Sequence, residues 1–155
     1  QVYITTKSVN GLILRELELF KSFKTKPVVL LGLSHIGEAN RGGKQHNINI
    51  ANQLYEAGIP VRVFITPILP YIMNLEEMIT TIPKDIPIYL DKLRVFEQGN
   101  QNMKMYEWVK KYYPMYAEKY SKILFEEDET YYLDLVHKYQ NNPRITFMSE
   151  LWNEN

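Results

Sequence analysis

Three apolar stretches open the chain: VYITTKS at 2–8, VVLLGLSH at 28–35 and VRVFITPILP at 61–70. Each runs into a polar or sharply turning cluster. An amphipathic segment, LILRELELFKSF, separates the first two, and a helix-like stretch, NINIANQLYEAGIP, separates the next. Strand and helix thus alternate at an interval of about thirty residues, the rhythm of a parallel sheet with crossover helices. IPIYLDKLRV at 86–95 reads as a fourth strand. The pattern predicts an α/β fold with four parallel strands near 2–7, 28–33, 61–66 and 87–94, in sequential order. Right-handed crossovers then put the helices on one face. In such sheets chemistry collects at the carboxyl ends of the strands, and those ends carry Lys7, Ser34 and Thr66-Pro67.

Local signals sharpen the boundaries. Leu12, Leu14, Leu17, Leu19 and Phe20 mark the buried face of the first helix. The second strand is apolar without alternation, as expected when both faces are covered. A helix from about 48 to 56 ends at Ala57-Gly58, where glycine is the usual left-handed stop. Asn74 can cap the helix LEEMITTI, with Glu76 and Glu77 in its first turn at the positive dipole end. From Met103 the pattern is helical with a break at Pro114, and RITFM at 144–148 is a candidate for a short last strand. Residues 1–96 read as half-barrel βα units and 97–155 as a helical closing segment of one domain.

Composition narrows the function classes. The chain has 155 residues, with 18 basic against 18 acidic side chains, so no overall basic footprint for duplex nucleic acid is present. Cysteine is absent, which removes disulfides, thiol nucleophiles and thiolate-held clusters from this chain. The longest apolar run, VVLLGL, is six residues, far below the roughly 20 needed to span a bilayer. No targeting segment is visible, and the expectation is a cytoplasmic protein with no membrane partner. A first strand beginning at residue 2 would leave an open sheet edge. The chain therefore reads as the C-terminal portion of a longer protein, lacking the N-terminal half of its barrel.

The loop GEANRGGKQ follows a strand but fails as a phosphate-binding loop: Gly37 is five residues, not four, before Gly43-Lys44, and Gln45 replaces the hydroxyl residue. Arg41 and Lys44 remain candidates for an anionic substrate. His35, His46 and His137 show no metal-ligand spacing. The acidic run Glu126 to Glu129 reads as a solvated helix junction. Tyr112, Tyr113, Tyr116, Tyr120, Tyr131, Tyr132 and Tyr139 could stack bases, but at helical spacing they read better as packing. Lys7 is less easily dismissed: it ends a strand and could converge with Ser34 and Thr66 on a ligand carrying a carboxylate or ribose. A plain solvent-exposed lysine is the competing reading.

Taken together, ITTKS with LILRELELF, then VVLLGLS, LYEAGIPVRVFITPILP, LDKLRVFEQGN and MYEWVKKYYPMYAEKYSKIL resemble the C-terminal part of radical S-adenosylmethionine proteins of the spore photoproduct lyase (DNA repair photolyase-like) type. The similarity covers roughly residues 2 to 125. It implies a partial (β/α)6 TIM-like barrel with closing C-terminal helices. An upstream CxxxCxxC loop would hold a [4Fe–4S] cluster, whose open iron binds S-adenosylmethionine and yields a 5′-deoxyadenosyl radical. It also implies that Lys7 and Ser34 contact the methionine part or ribose of the cosubstrate and that Thr66 lies beside the adenosyl group. Two departures stand out: the cluster cysteines are absent, and Asn47 stands where that group often has arginine. The resemblance thus implies a radical enzyme inactive without its N-terminal motif, with nucleic acid as one candidate substrate. Two alternatives are an α/β enzyme fragment binding a phosphorylated small molecule through Arg41 and Lys44, and a binding domain that lost the cluster.

Overall fold

The computed structural model describes residues 1–7, 11–33 and 44–148, with the side chains of 44–47 excepted. Five strands, β1 (Tyr3–Thr6), β2 (Val28–Leu33), β3 (Val61–Ile65), β4 (Ile88–Leu90) and β5 (Ile145–Phe147), form one sheet in the order β1-β2-β3-β4-β5. All four pairings are parallel. The fold is α/β with sequential parallel strands, and the expected count of four becomes five. The fifth strand is three residues long and begins with Ile145 N–H bonded to Asn142 O. Its place is secured by a distant partner, the Ile88 N–H donating to Arg144 O at 2.7 Å.

Register divides the strand residues into two sets, because laterally paired residues project to the same side of a sheet. One set contains a single hydroxyl residue, Thr6, opposite Leu31. Its apolar members are Ile4, Val29, Leu31, Leu33, Val61, Val63, Ile65, Ile88, Leu90, Ile145 and Phe147. These residues belong to the main hydrophobic core or pack against it, with Leu31, Leu33, Val63, Ile65 and Leu90 fully buried. The helices supply the opposing surface. A 3₁₀ turn (Leu12–Glu16) leads into α1 (Leu17–Ser22), giving Ile13 and Phe20 to the core. Helix α2 (Lys44–Glu56) adds Ile48, Ile50, Ala51 and Leu54. It starts earlier than its apolar periodicity suggests and closes as expected, with Gly58 at φ 70 and the Ile59 N–H on Leu54 O. Helix α3 (Leu75–Thr81) is capped by Asn74, whose Oδ1 accepts from the Glu77 N–H at 3.2 Å.

The remaining helices are α4 (Gln101–Tyr112), a 3₁₀ turn (Pro114–Tyr116), α5 (Ala117–Phe125) and α6 (Thr130–Tyr139). The acidic run does form the junction between α5 and α6, with Glu127 at φ 56. The tyrosines are largely packing residues. Tyr120 is fully buried and donates to Pro70 O, and Tyr132 packs edge-on against Phe147. The fourth strand stops at Leu90, short of the expected 94, because residues 92–96 bond to side chains instead of a sheet. Leu93 N–H donates to Tyr131 Oη, and Phe96 N–H donates to Asn102 Oδ1. Among the described residues no helix is long and apolar enough to cross a membrane.

Candidate functional site on the open sheet face

The second set of strand residues is Tyr3 and Thr5 of β1, Val28, Leu30 and Gly32 of β2, Arg62 and Phe64 of β3, Tyr89 of β4 and Thr146 of β5. None of them belongs to the main core cluster, although Val28 and Gly32 are buried. Tyr3 is 54% exposed, while Leu30, Arg62, Phe64, Tyr89 and Thr146 are partly exposed. This is the open face of the sheet, and it carries the polar chemistry.

Lys7 belongs to this face. The β1–β2 register ends with Thr6 opposite Leu31, so the next residue falls beside Gly32. A Cβ on Gly32 would stand 2.8 Å from Lys7 Cγ and 3.4 Å from Lys7 Cε. The lysine stem therefore lies across the one position in β2 that has no side chain, with its ammonium end carried over the sheet. Gly32 is paired to Phe64, Phe64 to Tyr89 and Tyr89 to Thr146. A single lateral row thus runs cation, glycine, aromatic, aromatic, hydroxyl. Phe64 and Tyr89 stack with centroids 4.7 Å apart and planes 9° apart.

Arg62 sits one step below this row. Its Nη1 donates to Tyr89 Oη at 3.2 Å, and its guanidinium lies 5.9 Å from the Tyr3 ring centroid and 6.0 Å from that of Tyr89. Both contacts are within cation–π range. Arg62 is the one charged residue inside any of the five strands. Among the described residues no carboxylate forms a salt bridge with Arg62 or Lys7. The acidic residue just past β4, Asp91, bears on Tyr131. Its charge is one of the influences that, after burial as the chief cause, push the Tyr131 hydroxyl up to about 12.

The other expected site residues fare differently. Thr66 directly follows β3, is partly buried, and joins Pro67 through a cis peptide bond. It lies at the same end of the sheet as Lys7, with β2 between their strands. Ser34 and Arg41 lie outside the described residues, and Lys44 begins α2 with its side chain outside them. Arg62, Phe64 and Tyr89 escaped the sequence reading, which looked for chemistry only past the strand ends. The available signals were a charge inside an apolar strand at 62 and a glycine interrupting the run VVLLGL.

A separate cleft of about 1100 Å³ opens between residues 92–97 and the α5–α6 junction, with Lys92, Arg94, Glu97, Glu127 and Glu129 on its walls. Its main internal contact is the Lys92–Glu129 ion pair. Arg144 is structural. Its Nη2 donates to Ile79 O and Ile82 O at the end of α3, and burial lowers its pKa against the opposing pull of Asp85.

A [4Fe–4S] cluster does not suit the donors present. The sequence has no cysteine, and no group of three or more metal-ligating side chains occurs among the described residues. A carboxylate-bearing molecule with a planar ring suits the open face better, through an ammonium with no carboxylate partner among the described residues, a guanidinium and a stacked aromatic pair. No family model matches the chain, and no curated protein or solved structure matches it.

Proposed function

We propose that this sheet is the C-terminal part of an incomplete (β/α)6 barrel in a radical S-adenosylmethionine protein, and that its open face cradles the cosubstrate. The observation that carries the reading is Lys7 lying across Gly32 at the carboxyl end of sequential parallel strands, without a carboxylate partner among the described residues. Two further features support it. Among the described residues β1 pairs on one side only, and one face of the sheet lies outside the main core cluster. A closed barrel would cover both, since closure alone removes sheet edges.

Bound S-adenosylmethionine supplies hydrogen-abstraction chemistry in the group that the sequence resembles. This chain's own share is binding and orientation. The Lys7 ammonium holds the methionine carboxylate, a charge-assisted contact worth about 1.5–3 kcal/mol. The Phe64–Tyr89 pair offers an aromatic surface to the adenine. Thr66 adds a hydroxyl at the same end of the sheet. This sequence has no cysteine to ligate a cluster, and no redox step is assigned to the side chains present.

The test is equilibrium titration of the protein with S-adenosylmethionine. Lys7→Ala is expected to raise Kd about ten- to a hundredfold, each factor of ten being about 1.4 kcal/mol. Unaltered affinity in that variant would remove the assignment while leaving the α/β fold intact.

A further inference from the structure

Lys7 is not the only cation on the open face; the second is partly buried among aromatic rings. Arg62 projects from the second residue of β3, partly buried, between the rings of Tyr3 and Tyr89. The strand residues of this face comprise hydroxyls, apolar groups and aromatics, and no acid. A chain of zero net charge has therefore gathered two cations on a surface without a compensating carboxylate among the described residues. Removing a guanidinium from water is costly unless an anion meets it.

The one hydrogen bond it makes among the described residues, to Tyr89 Oη, uses one of its five donors. Both flanking rings hold the guanidinium in place without neutralising it. A planar fork so held is suited to bidentate recognition of a carboxylate or phosphate.

We infer that Arg62 is the anchor of a second subsite on the open face, one that takes the carboxylate or phosphate of a substrate whose planar ring lies against the exposed ring of Tyr3 beside it. The inference rests on the cosubstrate reading only for the word substrate; the anion site stands on Arg62 alone. Lys7 and Arg62 are two strands and one side-chain row apart, a Cα separation of roughly 12 Å from ordinary strand spacing and rise. That is far enough for two ligands to be held side by side, the cosubstrate at Lys7 and the substrate anion at Arg62. Tyr89 links them, stacking on Phe64 in the Lys7 row while accepting from Arg62.

The probes are benzoate and phenyl phosphate, titrated separately into the protein and followed by NMR of the Arg62 side-chain N–H and the tyrosine rings. Saturable binding of at least one probe is expected, and the tighter probe identifies the anion as carboxylate or phosphate. Arg62→Gln should weaken it about tenfold or more, the scale of a lost charge-assisted contact. Arg62→Lys, which keeps the charge and loses the fork, should fall between, and Lys7→Gln, which acts at the other subsite, should weaken it by clearly less than Arg62→Gln does. Circular dichroism of each variant identifies any that fails to fold, and Arg62→Lys then carries the comparison. Affinity unchanged in both Arg62 variants, equal losses in the Lys7 and Arg62 variants, or no saturation by either probe would overturn the subsite. Failure of the cosubstrate reading gives a different result: S-adenosylmethionine affinity indifferent to Lys7, with probe binding at Arg62 retained.

Discussion

On one side of the sheet Leu31, Leu33, Val63 and Ile65 are shut away from water; on the other, Leu30, Arg62 and Phe64 remain partly exposed. These residues alternate along the same two strands, so composition and backbone geometry are shared and only the opposing surface differs. The covered face meets α1, α2, α3 and α6 and is held by apolar burial, at roughly 25 cal/mol per Å². The open face meets no part of that core and is organised by pairwise contacts: a lysine over a glycine, an arginine between two tyrosines, two stacked rings. One face stabilises the fold, and the other is free to carry charge.

The sharpest way to break this contrast is to truncate neighbouring leucines in β2. Leu31→Ala, fully buried in the core, should lower the unfolding free energy by about 2–5 kcal/mol. Leu30→Ala, on the open face, should cost about 1 kcal/mol or less. Urea denaturation of the two variants measures the difference, and equal losses would mean that the open face is as tightly covered as the other.

A smaller effect is expected at Gly32. Alanine there would place a Cβ against the Lys7 stem, forcing a flexible, exposed side chain to move while leaving the core untouched. Gly32→Ala should reduce S-adenosylmethionine affinity about tenfold, because a displaced ammonium loses about 1.4 kcal/mol of its contact. Stability should change by less than about 1 kcal/mol. If affinity holds and stability collapses instead, Gly32 serves packing rather than the placement of Lys7.

On the covered side, Asn74→Ala removes the cap of α3 and should cost about 1 kcal/mol. The same variant should leave ligand binding on the open face unaltered, a separation checked by denaturation and titration together.

A further expected effect, confined to alkaline solution, is a pH dependence. Burial raises the Tyr131 hydroxyl to about 12 from an ordinary value of 10.0. A raised pKa in the folded state means that the neutral hydroxyl is favoured by folding. Its contribution is complete below pH 10 and is lost as pH climbs from 10 towards about 12. Tyr131→Phe should flatten the fall in stability across that window in an alkaline denaturation series, and an identical slope in the variant would count against burial as the cause.

Much of the fold was legible in the residues because its determinants are local. The thirty-residue interval, the apolar run VVLLGL, the Gly58 stop and the Asn74 cap each act within a few residues of where they are read. The end of β4 was less legible, and β5 was legible only as the candidate strand RITFM. Residues 92–96 alternate like a strand, yet their hydrogen bonds go to side chains, that of Asn102 six residues on from Phe96 and that of Tyr131 far along the chain. Three residues of β5 carry no periodic signal of their own and become a strand because β4 offers them an edge.

The same division holds for the candidate site. Sequence alone determined that Lys7 ends a strand and that β2 contains a glycine, since both follow from local pattern. Only the tertiary structure decided that the two lie side by side, that Arg62 stands between Tyr3 and Tyr89, and that this face is the one the core does not use. Strand register converts positions 7, 32, 64, 89 and 146 into one row. Register is a property of paired strands: a shift of one residue would send every one of these side chains to the other face.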